Sequence, residues 1–179
     1  MTVAPRGARR GSCLGLLLAV AAVVLSAVWC GGAIPNRDPL WFYPAFDARP
    51  SRLTVYAWGT VVELTPWEAD FEDLVPIINS TITRAVGYRE GFTPSEASVD
   101  SYRGRGLAVE VAYPGRTLLH SRHFFPEFDH LFLPLDGTYN YLRQALLFRS
   151  LNGVWGGGAL ILEDNSRLRI RAEQLRDTD

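Results

Sequence analysis

The chain has 179 residues, a formal net charge of −1 and two cysteines. All 19 acidic residues follow the N-terminal apolar run and three of the 18 basic ones precede it, so the remainder carries 15 basic against 19 acidic groups and lacks the basic stripe that nucleic-acid binding requires. Every basic residue is arginine, which excludes a Schiff-base lysine, a phosphate-loop lysine and a Ser-Lys dyad.

Residues 11–36 are uncharged, and the roughly 21 positions of 13–33 would form a helix about 31 Å long, the thickness of a bilayer's hydrocarbon core. Arg6, Arg9 and Arg10 precede this stretch without any acidic residue, which places the N-terminus in the cytoplasm and the C-terminal part outside it. The organisation expected is a cytoplasmic tail at 1–11, a transmembrane signal-anchor at 12–33, a proline-rich connector at 34–51 and an extracytoplasmic domain at 52–179. Cleavage after Ala33, behind the small residues Gly31 and Gly32, is the competing reading, but the apolar run exceeds the 7 to 15 residues usual in a secretory signal. Gly11-Ser12-Cys13 continues Arg9-Arg10 poorly as a twin-arginine signal, and bulky Trp29 before Cys30 excludes a lipoprotein site. Both cysteines, Cys13 and Cys30, lie in the apolar stretch, so no disulfide can hold the domain together.

Pro35, Pro39, Pro44 and Pro50 punctuate the connector and predict an extended path. Its aromatics Trp41, Phe42, Tyr43 and Phe46 have two readings: contact with lipid headgroups, or packing on the domain. Alternation at 53–57 and 60–64 predicts a hairpin, with Gly59 in a left-handed bulge because Trp58 would be strained at positive φ. Thr65-Pro66-Trp67-Glu68 has capping-box spacing and opens a helix whose apolar stripe is Phe71, Leu74, Val75, Ile78, Ile82 and Ala85 or Val86, with Gly87 as its stop. Pro76 should kink that helix or delay its regular part. Asn79-Ser80-Thr81 matches a glycosylation sequon but falls on the helix.

Thr93-Pro94 introduces a helical turn at 95–102. Leu107, Val109, Val111 and Tyr113 then share one face of a strand, and Pro114-Gly115 should turn the chain into a partner strand at 116–125. A short strand at 131–133 ends at Pro134 and the Asp136-Gly137 turn, and Asn152-Gly153 joins a hairpin of 145–150 with 154–162. Gly156-Gly157-Gly158 predicts a bulge or close backbone approach in its second arm. The tail is assigned to a helix on Leu168, Ala172 and Leu175, against an edge strand at 167–171. The pattern is α+β, a largely antiparallel sheet of hairpins with one main helix on a face.

His120, His123 and His130, with Glu127 and Asp129, form the one stretch where metal or acid/base chemistry can be argued. On a strand, His120 and His123 would project to opposite faces and share no metal. A glycosidase-like carboxylate pair from Glu63, Glu110, Glu127 and Asp129 has an equally simple reading as solvent-facing strand and turn residues. Arg103 and Arg105, among Gly104 and Gly106, suggest either an anion grip or an exposed loop. No serine-nucleophile elbow is present. No catalytic, cofactor-binding or metal residue is therefore assigned, and no cofactor. The partners expected are membrane lipid, through residues 12–33, and a membrane protein; nucleic acid is not among them. The function expected is a non-enzymatic binding or regulatory role toward a membrane protein, an envelope component or a small ligand. The alternative is an exported hydrolase or metal-dependent enzyme using residues 120–130. The layout of a short tail, one span and a small α+β domain resembles that of accessory proteins that regulate bacterial membrane sensor kinases, a resemblance of layout that carries no residues over.

Overall fold

The computed structural model describes residues 13–141 and 144–176, so the arginine-bearing tail lies outside the described residues. The first helix, α1, spans Cys13–Asn36. Within it Cys13–Pro35, 23 residues, are long and apolar enough to cross a bilayer, and the apolar window is unburied. The helix runs through Pro35, so the connector starts later than its prolines suggested: a proline in the last turn forfeits only one backbone bond. Arg37, at φ 51°, ends the helix in the left-handed conformation. The connector aromatics divide between buried and exposed positions. Phe46 is buried, with its ring 5.9 Å from Tyr113 and 6.0 Å from Phe128, whereas Phe42 and Tyr43 stay exposed beside the end of α1.

The strands β1 (Arg52–Ala57) and β2 (Thr60–Leu64) pair as the expected hairpin, but with a different turn. Ala57 pairs with Thr60, and both Trp58 (φ 49°) and Gly59 (φ 99°) are left-handed, a two-residue turn whose twist suits the strands. Long-range contacts hold Trp58 there: its N–H donates to the Gly106 carbonyl at 2.9 Å, its indole donates to Asp136 at 3.1 Å, and Arg176 lies over its ring.

Helix α2 spans Ala69–Thr83, a turn later than the capping-box spacing indicated. Glu68 does reach back to the Thr65 N–H at 3.0 Å, but the Thr65 hydroxyl donates to Glu68 instead of capping the helix, and residues 65–68 form a turn. Phe71, Leu74, Ile78 and Ile82 are buried as expected, joined by Ile77. The helix does not continue to Gly87. Residues Ala85–Arg89 form β3, because the free edge of β8 offers them a backbone partner.

Ser95 caps α3 (Glu96–Arg105) by accepting from the Ser98 N–H at 3.2 Å. Strand β4 runs Leu107–Thr117, and Pro114-Gly115 does not reverse it into a hairpin. Its neighbours are β1 and β5 (Phe128–Pro134), while the intervening residues are irregular apart from one bridge between Ala45 and His120. After a helical turn at Gly137–Tyr139 and a two-residue strand β6 (Asn140–Tyr141), β7 (Gln144–Leu151) and β8 (Val154–Leu162) close the expected hairpin, with Asn152 (φ 53°) and Gly153 (φ 78°) in its turn. Helix α4 (Ser166–Arg176) buries Leu168, Ala172 and Leu175 as predicted.

The strands make one antiparallel sheet in the order β2-β1-β4-β5-β7-β8-β3, with β6 added to β7. The fold is α+β. Alternation sends Leu53, Val55, Leu107, Val109, Leu131 and Leu133 to one face, where α2 and α4 cover the main core. On the other face Ala108, Phe132 and Phe148 form a smaller cluster beneath α3 through Val99 and Tyr102. Because α3 has only 10 residues, part of that second face stays uncovered.

Candidate functional site

The uncovered part of the second face is polar. Thr54 on β1 lies opposite Glu63 on β2 and opposite Glu110 on β4; in the next row Arg52 lies opposite Ala112, and Ala112 opposite His130 on β5. Same-face residues on one strand are about 7 Å apart and strands about 4.8 Å, so these two rows form a contiguous patch. Ala112 contributes only a methyl group between Arg52 and His130, which leaves a cavity of about 180 Å³ walled by those side chains, Tyr56 and Arg103.

One wall is rigid. Glu110 accepts from the Tyr56 hydroxyl at 3.0 Å and from Arg103 Nη2 at 3.0 and 3.1 Å, and Arg103 also reaches Asp100 at 3.4 Å. Burial, reinforced by the Glu110 charge, pushes the Tyr56 hydroxyl up to about 12. Burial alone would lower the Arg103 guanidinium, but the bonds to Glu110 outweigh it and hold it above its usual value. The other side is unengaged: among the described residues Arg52 and Glu63 have no ion-pair partner. At the rim, His130 Nδ1 meets Asp129 Oδ1 at 3.0 Å, and Asp129 Oδ2 accepts from the Asn152 N–H at 2.7 Å. Burial works to raise the Asp129 carboxyl, but these hydrogen bonds prevail and lower it.

The other sequence candidates are placed elsewhere. His120 pairs with Asp38, 3% exposed, at 2.9 Å and ties the connector to the irregular segment after β4. His123 lies in that segment rather than on a strand, so the opposite-faces argument does not apply; its N–H donates to Ser121 Oγ at 3.1 Å. Glu127 faces Arg116 at 3.7 Å. Arg103 and Arg105 belong to α3, which overturns the exposed-loop expectation; Arg105 reaches the Ser101 hydroxyl at 3.4 Å. Asn79 is half-buried and donates to the Ala48 carbonyl at 3.2 Å. The structure thus brings together Glu63, Glu110, Arg103 and His130, each considered separately from sequence, and adds Arg52, Thr54 and Tyr56. The polar phase of β1, alternating with Leu53, Val55 and Ala57, was the signal for these three.

The cavity is lined by opposite unengaged charges at Arg52 and Glu63 on the neighbouring strands β1 and β2, with the His130 imidazole across Ala112 on β5, a donor and acceptor set suited to a small polar or zwitterionic molecule. A larger concavity of about 610 Å³ between α2 and α4 is an open trough in which Arg171 already pairs with Asp70 and Asp73.

No family model and no curated protein matches the chain. Among solved structures it is similar to the crystal structure of YycH from Bacillus subtilis at 11% identity and a TM-score of 0.45, covering 73% of this chain and 37% of that one. The chain therefore spans little more than a third of that protein's length, and a likeness at this level supports no transfer of function.

Proposed function

We propose that the chain is a single-pass protein of a bacterial cell membrane, with its N-terminus in the cytoplasm and residues 52–179 forming one extracytoplasmic domain that binds a ligand or partner without chemistry. The observation that carries this reading is the pairing of an unburied apolar helix with a folded body whose polar cavity combines a fixed Tyr56-Glu110-Arg103 wall and unengaged Arg52 and Glu63. A rigid wall opposite open donors and acceptors suits recognition of a small polar molecule, whose occupancy a membrane-protein partner would read. Full-length protein in nanodiscs, melted against a panel of free amino acids and small saccharides, should be stabilised by at least one, and Arg52→Gln should remove the effect. A panel that leaves the melting temperature unchanged removes the small-ligand form of the proposal. A reporter fused behind Asp179 should be active only outside the cytoplasm.

The hydrolase or metal-dependent enzyme reading has one observation in its favour: Asp129 orients His130 at the edge of the same cavity. It requires that zinc or manganese stabilise the protein, or that a hydrolytic activity be lost in His130→Ala.

A further inference from the structure

A second cavity, of about 360 Å³, opens where α1 joins the body, between Arg37, Leu118, Phe124, Phe125, Arg149 and Leu151. Its place follows from the chain path. The Asp38-His120 pair clamps the end of the helix to the segment after β4, and Arg37 lies over the Phe124 ring, 5.7 Å from its centroid.

The chemistry of the walls is amphiphilic. Phe125 is 2% exposed and Leu118 41%, so the apolar wall runs from the core to the surface. Arg149 donates from Nη1 to the Glu127 carbonyl at 2.9 Å, while its buried Nε has no hydrogen-bond partner. Among the described residues neither Arg37 nor Arg149 has a carboxylate in ion-pair range, and the Glu127 carboxylate at the rim faces Arg116 instead. Two guanidinium groups without anions therefore border an apolar slot.

We propose that this cavity holds an anionic phospholipid of the membrane in which α1 sits, its phosphate between Arg37 and Arg149 and its glycerol and upper acyl carbons against Leu118, Phe124 and Leu151. The inference rests on reading α1 as a membrane span. The 23 residues of Cys13–Pro35 extend about 35 Å, a little more than a hydrocarbon core of about 30 Å. Arg37, two residues farther on, then falls in the headgroup layer, about 5–8 Å deep on each side. Exposed Leu40, Phe42 and Tyr43 surround the same exit, as interfacial residues do.

The test incorporates the full-length chain into nanodiscs of phosphatidylcholine with and without phosphatidylglycerol, extracts it into mild detergent, and counts retained lipid by native mass spectrometry. Retention should favour phosphatidylglycerol. Arg37→Gln, at an exposed position, and Arg149→Gln should each reduce that preference about fivefold, the equivalent of about 1 kcal/mol per arginine at an anionic surface. Equal retention of the two lipids, or an unchanged preference in Arg37→Gln, overturns the inference while leaving the span intact. Stabilisation by inorganic phosphate equal to that by phosphatidylglycerol assigns the cavity to a free anion and also overturns it. Failure to enter either nanodisc overturns the span, and the inference with it.

Discussion

The Tyr56 hydroxyl on β1 donates to the Glu110 carboxylate on the neighbouring strand β4 at 3.0 Å, although the two residues are offset by two pairs in the ladder, where Glu110 lies opposite Thr54 and Tyr56 opposite Ala108. The diagonal reach orients the carboxylate between Tyr56 and Arg103 and makes one wall of the polar cavity. Glu110→Gln keeps the shape and removes the charge. It should lower stability by about 1–2 kcal/mol, since the Arg103 guanidinium loses its partner in a half-buried position. The Tyr56 hydroxyl should fall partway from about 12, since burial still raises it but the Glu110 charge no longer does, and phenolate absorbance would detect this.

Alkaline pH should destabilise the fold. Tyr56 is raised from 10.0 to about 12, so the unfolded chain loses this proton first; the associated stability is complete below pH 10 and is lost as pH rises toward 12. Tyr113, raised by burial, adds in the same direction, and its hydroxyl has no hydrogen-bond partner. Melting temperature should therefore decline across this window and decline less in Tyr56→Phe. Tyr113→Phe should also raise stability at neutral pH by about 1 kcal/mol, because it removes a buried polar group that nothing satisfies.

Pro76 sits inside α2 and is exposed, so replacing it restores a backbone donor without disturbing the core. An interior proline costs about 3 kcal/mol in a helix, partly offset by its restriction of the unfolded chain. Pro76→Ala should stabilise the protein by about 1–2 kcal/mol in denaturant titration; a loss would mean that the proline's restriction of the unfolded chain outweighs the missing backbone bond.

The bulge at Gly156-Gly157-Gly158 fits its neighbours closely. Ala159 pairs with Phe148 and Trp155 with Ser150, so the extra length falls on β8, where Gly157 and Gly158 have φ of 81° and 85°. A Cβ on Gly158 would lie 2.5 Å from the Tyr88 hydroxyl and 2.7 Å from the Arg89 carbonyl, and Tyr88 donates to the Gly157 carbonyl. Gly158→Ala should cost about 2–4 kcal/mol, with strain and overlap adding, and should loosen β3 most; amide exchange across Ala85–Arg89 would report this.

The candidate site was legible only as components. Glu63, Glu110, Arg103 and His130 each stood out as chemistry-bearing residues, and β1 displayed a polar phase, but sequence spacing does not say which strands become neighbours. The row Glu63-Thr54-Glu110 joins residues from three strands through ladder register, and Arg103 reaches it only because α3 lies across that face. The histidines misled for a related reason. Pro114-Gly115 read as a reversal, yet β4 continues past it with a break in its pairing to β5 between Ala112 and Thr117, and residues 118–127 cross irregularly to β5, fastened by the long-range pair His120-Asp38.

Elements whose signal is contained in their own window were determined by the sequence: the apolar α1, the alternating β1 and β4, the Asn152-Gly153 hairpin and the three-and-four spacing of α4. Each buries its face, or leaves it unburied, according to a period that any partner surface would accept. Tertiary structure decided what depends on a distant partner. Residues Ala85–Arg89 became a strand because the edge of β8 was open, Trp58 took a left-handed turn because Gly106, Asp136 and Arg176 hold it, the polar cavity arose where the short α3 left the sheet uncovered, and the second cavity arose where the end of α1 meets the segment after β4. Local propensities differ by about 1 kcal/mol or less, and a ladder of backbone hydrogen bonds or a packed face outweighs them.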